Sequence, residues 1–332
     1  MVAFGVMIPQ GWFAELPAET YAPEQYEAMV ALAREVERLG YASGWLFDHF
    51  RPHPMIPPER VPTTSTFECW TTLAALARET ARLRLGSLVS AVAYRSPALL
   101  AKMAACVDVL SGGRLEFGIG AGGFEGEHVS YGFPFAPPRT RVAQLNEAIQ
   151  IIRAMWREEK ASFRGNHFVV EEAPCVPKPI QRPGPPLTVG AGSGRRLPIL
   201  RLAARWADRC TLLRCPPDEC ARQLDMLRGH AEEVERDYDT IEKSVHLGLL
   251  LGRTTKEVER RLRVHKPPNV SLKAFRAEQE PGTVIGTPEE VATRLLEYRN
   301  LGVTYFIFQV DGALERDPLR LFADEVTPQL AG

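Results

Sequence analysis

A parallel (β/α)8 TIM barrel with insertion segments is the fold class that three observations predict. Eight short apolar or β-branched runs alternate with eight segments of helical period, which is the pattern of parallel strands joined by helical crossovers. A chain of 332 residues, 45% hydrophobic and 24% charged, can fill such a barrel as one domain, 1–332, with no second one. The third is the run 43–47, which stops abruptly at Asp48-His49; barrel strands deliver reactive groups to the barrel mouth in this way.

In chain order the strands fall at 2–8, 43–47, 83–90, 114–118, 187–190, 208–213, 245–251 and 304–309. Each is a short apolar run, as strands covered on both faces must be. The helices begin near Pro23, Phe67, Pro97, Pro138, Arg195, Asp218, Thr255 and Pro288. Proline suits the first helical turn because its missing amide would have no partner there, and Glu289 and Glu290 complement the positive end of the last helix. Pro52 to Pro58 and Pro174 to Pro186 are too rich in proline for helix or central strand, so both are loops or insertions. Phe163 to Val170 reads as a small hairpin within an insertion over about 160–186. A second insertion, about 264–286, mixes charge with Pro and Gly and reads as a mobile cover over the mouth.

With 40 basic and 41 acidic side chains the net charge is -1, so no field draws the protein to nucleic acid or an anionic membrane. The N-terminus carries no basic leader, and no uncharged run reaches the roughly 18 residues of a membrane helix; a soluble, cytoplasmic protein is expected. Cys69, Cys106, Cys175, Cys210, Cys215 and Cys220 contain no Cys-x-x-Cys and read as reduced thiols rather than a metal knuckle.

His49 is the leading candidate for chemistry: an imidazole at a strand end can give or take a proton. The alternative is a loop histidine capping a turn. His49 and His53 do not make an i,i+4 metal pair, because Pro52 and Pro54 forbid the helix; no metal is expected. After Gly86 the third strand is built of small or β-branched residues, so a flat ligand can pass close to it; a plain buried strand is the reading the sequence favours. Gly118 to Gly123 fits Gly-x-Gly-x-x-Gly in letters only, since no helix opens directly behind it and it is not in the first βαβ unit. It reads as a glycine-lined ligand loop. Glu125, Glu127 and His128 follow, either as polar groups of the mouth or as solvated loop charges. Gly190 to Arg196, with Gly192, Ser193 and Gly194 and two arginines before a helix, reads as a phosphate cradle, with a plain tight turn as the alternative.

Four stretches carry a resemblance: Phe4 to Trp12, Trp45 to Phe50, Tyr94 to Lys102 and Ser111 to Gly122. Together they resemble the luciferase-like monooxygenase superfamily, and within it the branch of oxidoreductases dependent on the deazaflavin coenzyme F420. Val189 to Asp208 and Thr287 to Gln309 follow in family order, so the likeness spans nearly the whole chain. The resemblance implies a TIM barrel with a deazaflavin across the strand ends and hydride transfer at its ring. It puts Asp48 and His49 at the cofactor, a non-proline cis peptide at Leu88-Val89 behind the ring, and Ala121, Gly122, Gly192, Ser193 and Gly194 in the loops that touch the cofactor, the last three near its phosphate. Sugar-phosphate dehydrogenases of this branch carry a glutamate directly after the glycine loop, where this chain has Gly123. That departure puts sugar-phosphate oxidation in doubt and leaves Glu125 or Glu127 for proton transfer. FMN with oxygen as a substrate is the alternative cofactor chemistry, and a non-catalytic flavin-binding relative is the alternative to an enzyme. A small-molecule substrate of unreadable identity and a homodimer complete the expectations.

Overall fold

The computed structural model describes residues 2–17, 20–192 and 197–330. The first half of the chain forms β1 (Ala3–Met7), α1 (Ala22–Arg38), β2 (Ser43–Leu46), α2 (Cys69–Glu79), β3 (Arg84–Ser87), β4 (Ser90–Ala91), α3 (Pro97–Ser111) and β5 (Leu115–Gly120). Next come α4 (Glu125–Ser130), α5 (Pro138–Arg157), β6 (Lys160–Arg164), β7 (Val169–Pro174), β8 (Leu187–Ala191), α6 (Leu197–Trp206) and β9 (Arg209–Leu213). The last part holds α7 (Pro217–Glu233), β10 (Glu242–Leu251), α8 (Thr255–His265), α9 (Leu272–Gln279), β11 (Thr283–Gly286), α10 (Pro288–Asn300) and β12 (Tyr305–Val310).

Eight parallel strands, β1-β2-β3-β5-β8-β9-β10-β12, close into a barrel as β12 pairs back onto β1. Proline opens α1, α3, α5, α7 and α10, and Thr287 with Glu290 closes a capping box on the last of these. The expected hairpin is β6-β7, antiparallel and outside the barrel. The segment 264–286 departs from its reading as a loose cover. It folds into α9 and then β11, which adds in parallel to the upper half of the ten-residue β10. Its Val284 and Ile285 are buried, and that apolar pair beside a free strand edge is why it orders.

Side chains facing the helices form one large apolar core, while the barrel interior is filled differently. Trp45 lies across it, and a Cβ at Gly86 would come within 2.5 Å of the indole. Met7, Phe47, Leu88, Tyr305 and Ile307 pack around it. The floor is polar: Arg209 binds Glu116 at 2.8 Å and Glu242 at 2.6 Å and lies over the Tyr305 ring. A buried charge of this kind holds only because each partner is satisfied. With the floor closed, only the C-terminal mouth is left for a ligand.

Candidate active site

The expected strand 83–90 is broken at its top. The Leu88–Val89 peptide is cis, and β3 gives way there to the short β4, which pairs with β5. Val89 from this bulge sits against the strand ends: a Cβ at Gly120 would lie 2.6 Å from its side chain, and one at Gly190 3.2 Å. At Gly118 an added Cβ would fall 1.9 Å from the Ser87 carbonyl oxygen. These glycines therefore make room for the bulge, a packing role beside the ligand-loop reading of Gly118 to Gly123. Gly122 keeps a left-handed backbone at φ 73° against Ala91 and His128, and Gly123 has open space around it. Leu88 and Ala121 are buried and Val89 is half-buried.

A short helix, α4, opens directly behind the glycines and turns Glu127 and His128 into the protein while leaving Glu125 exposed. The reading of solvated loop charges holds for Glu125 and fails for Glu127. Glu127 Oε2 sits 2.7 Å from His49 Nδ1, its Oε1 accepts the Phe50 amide at 2.6 Å, and Tyr94 Oη donates to Oε2. Burial pushes the Glu127 carboxyl up, but His49, Tyr94 and the Phe50 amide more than offset it, and it lies below the usual carboxylate range. Burial and the neighbouring carboxylate push Tyr94 upward, so it stays a phenol and donates.

His49 is 15% exposed. Its ring lies flat on Trp12, centroids 3.9 Å apart and 10° from parallel, with Phe124 edge-on at 5.0 Å. Its Nε2 has no hydrogen-bond partner among the described residues. Both Trp12 and His49 line a cavity of about 340 Å³, together with Pro52, Pro54, Ile56, Phe124 and Glu127, a volume within the range of small-molecule sites. The proline-rich loop expected at 52–58 is thus one wall.

Asp48, one residue earlier on an extended chain, points the other way. It is 1% exposed and clasped by Arg95 at 2.6 and 3.1 Å, with Glu68 on the same guanidinium. Burial raises its carboxyl and Arg95 pulls it back, so Asp48 anchors the strand end and does not line the cavity. Gly192 is buried just beyond β8, also off the cavity. Ser193 and Gly194, with Arg195 and Arg196, lie outside the described residues. Sequence reasoning missed Trp12, Tyr94 and Arg95 as site residues. All three stood in the stretches that carried the resemblance, yet nothing in their spacing says that they meet His49, Glu127 or Asp48.

Among the described residues no group of three or more His, Cys, Asp or Glu side chains is placed to hold a metal ion, and no helix is long and apolar enough to cross a membrane.

The model of the luciferase-like monooxygenase family matches residues 2–305. An F420-dependent glucose-6-phosphate dehydrogenase of Kineococcus radiotolerans is 26% identical over 94% of this chain and 95% of its own. A phthiodiolone/phenolphthiodiolone dimycocerosates ketoreductase of Mycobacterium bovis is 27% identical over 87% and 89%. Among solved structures, an F420-dependent secondary alcohol dehydrogenase in complex with an F420-acetone adduct superposes with a TM-score of 0.78 at 17% identity, covering 100% of this chain and 99% of that one. The monooxygenase RslO1 from Streptomyces bottropensis superposes with a TM-score of 0.79 at 21% identity, covering 99% and 100%.

Proposed function

From the premise that this chain belongs to the luciferase-like monooxygenase family, and so is an enzyme of that class, we propose that it is an F420-dependent oxidoreductase acting on a small organic substrate. The relatives named above as F420-dependent support this choice of cofactor. The observation that carries the proposal is the His49–Glu127 pair at the mouth, with one ring nitrogen held and the other free.

The residues present fit a flat ring. His49, its Nε2 without a protein partner, lines a cavity walled also by the aromatic rings of Trp12 and Phe124 and by prolines, surfaces that stack on a planar ligand. A bound deazaflavin would supply or accept the hydride. The chain's own task is then the proton. Glu127, anionic and fixed by the Phe50 and Arg51 amides and the Tyr94 hydroxyl, holds His49 Nδ1 and so leaves Nε2 for the cavity. Neutral, Nε2 takes the proton of an alcohol; charged, it gives one to a carbonyl. Trp12 and Phe124 keep bulk water from the ring. Of the residues expected at the cofactor, Leu88, Val89, Ala121 and Gly122 form the bulge and adjoining loop behind this wall, and Gly192 to Gly194 remain the candidates for its phosphate.

Quenching of deazaflavin fluorescence by the purified protein, run beside FMN, tests the cofactor: tight FMN binding with none for the deazaflavin rejects the proposal. For the histidine, His49→Ala should keep cofactor affinity and lose roughly 100- to 10,000-fold in turnover in a screen of alcohols, enones and imines. Equal rates in the two proteins would remove the catalytic role and leave a cofactor-binding relative.

A further inference from the structure

The cavity that holds His49 has walls that the proposed proton transfer does not use. Beyond the rings of Trp12 and Phe124, the loop after β2 contributes Pro52, Pro54, Ile56, Pro58 and Val61, and the approach to α4 contributes Gly123. None of these six side chains can give or take a hydrogen bond. Loop and helix are fastened together, since Arg51 Nη1 donates to Ser130 Oγ at 3.0 Å and Tyr131 Oη to the Phe50 carbonyl at 2.8 Å. Both carry apolar surface outward as well: Met55 on the loop is 80% exposed and Val129 on α4 71%.

The charged members of the lining are Arg51, Glu125 and Glu127. Arg51 donates to Ser130, Glu125 is exposed, and Glu127 is committed to His49 and Tyr94. Two carboxylates against one guanidinium give the cavity no pull on an anion, and a charge set against proline and aliphatic faces loses its hydration without a partner.

Gly123 supplies an independent observation. Its neighbours Gly118, Gly120 and Gly122 are explained by crowding or by a left-handed backbone. Gly123 is explained by neither, because its backbone lies outside the left-handed region and a Cβ on it meets nothing within 4 Å. What the missing side chain leaves is depth in the cavity that Gly123 lines.

We infer that the substrate is an uncharged, lipophilic alcohol or ketone, whose alkyl or aryl body lies over Gly123 between the proline-rich loop and α4 while its oxygen meets His49, and that Gly123 sets how bulky that body can be. As a substrate class this rests on the proposed function. In the oxidative direction the carbinol carbon loses its hydride to the coenzyme and the hydroxyl its proton to His49 Nε2, which leaves the ketone; the reverse returns both.

Cyclooctanone, acetone and cyclooctanecarboxylate are the probes, titrated calorimetrically into the full chain with and without the deazaflavin. Cyclooctanone should bind saturably and at least about tenfold more tightly than acetone, since each buried methylene is worth about fourfold. It should also bind more tightly than the carboxylate of the same ring. Gly123→Leu fills the gap and should weaken cyclooctanone at least about tenfold with an unlowered thermal midpoint. Gly229→Leu on α7, where a Cβ likewise meets nothing within 4 Å, should bind as wild type does. If G123L melts early, Ile56→Ser on the facing loop carries the test and should weaken cyclooctanone more than acetone. Equal binding of the two ketones, tighter binding of the carboxylate, or unchanged affinity in a stably folded G123L overturns the inference. Loss of ketone binding when the coenzyme is added gives the cavity to the coenzyme ring and overturns it too. Should cyclooctanone bind as described while the deazaflavin does not, the proposed function falls and the apolar site stands without its reaction.

Discussion

A histidine serves proton transfer only when one ring nitrogen is held and the other is left free, and Glu127 provides the hold on His49. Removing that charge while keeping the shape, as in Glu127→Gln, should lower turnover roughly 10- to 100-fold with deazaflavin affinity unchanged; a larger loss in affinity than in turnover would contradict the orienting role. The same carboxyl has a pH signature. Its folded value lies below the ordinary 4.5, so its contribution to stability is complete above that pH and is lost as pH falls through the folded value. Urea midpoints of wild type and E127Q should therefore converge as the pH is taken below 4.5, and a constant gap would deny the shift.

Between β3 and β5 the chain trades regular pairing for a bulge, and the glycines that flank it are fixed by contact rather than by turn geometry. Gly118→Ala would set a methyl 1.9 Å from the Ser87 carbonyl oxygen, which a backbone atom cannot evade. Denaturant unfolding should show a loss of about 3 kcal/mol. Gly123→Ala meets nothing within 4 Å and should change stability by less than about 0.5 kcal/mol. Similar losses in both would mean that the bulge does not pack as described. Neither role is legible in the letters, where both positions belong to one glycine-rich run. Helix α4 was missed for a related reason: six residues with little apolar periodicity give no helical signal, and the turn forms because Glu127 and His128 find partners inside the protein.

For the molecule as a whole, the barrel interior sets an acid limit on stability. His246 is buried neutral, with its folded value at about 3 against the ordinary 6.5. The unfolded chain binds that proton first, so stability should fall as pH drops from 6.5 toward 3 and be fully present above 6.5. His246→Gln, neutral throughout, should flatten that slope in a series of urea or thermal midpoints; an unaltered slope would show that the imidazole titrates freely in the fold.

The order and place of the eight barrel strands, the prolines that start α1, α3, α5 and α10 and the β6-β7 hairpin were legible in the chain, because each depends on neighbours a few residues away. So was His49 as the end of a strand, since alternation and position alone put it at the mouth. The partners were not. Glu127 is 78 residues from His49 and Arg95 is 47 from Asp48, and no local pattern encodes which of two adjacent polar residues turns to the cavity and which to the core. That choice is made by closure of the barrel, which sets every strand end against two others and leaves each buried charge to find its partner there.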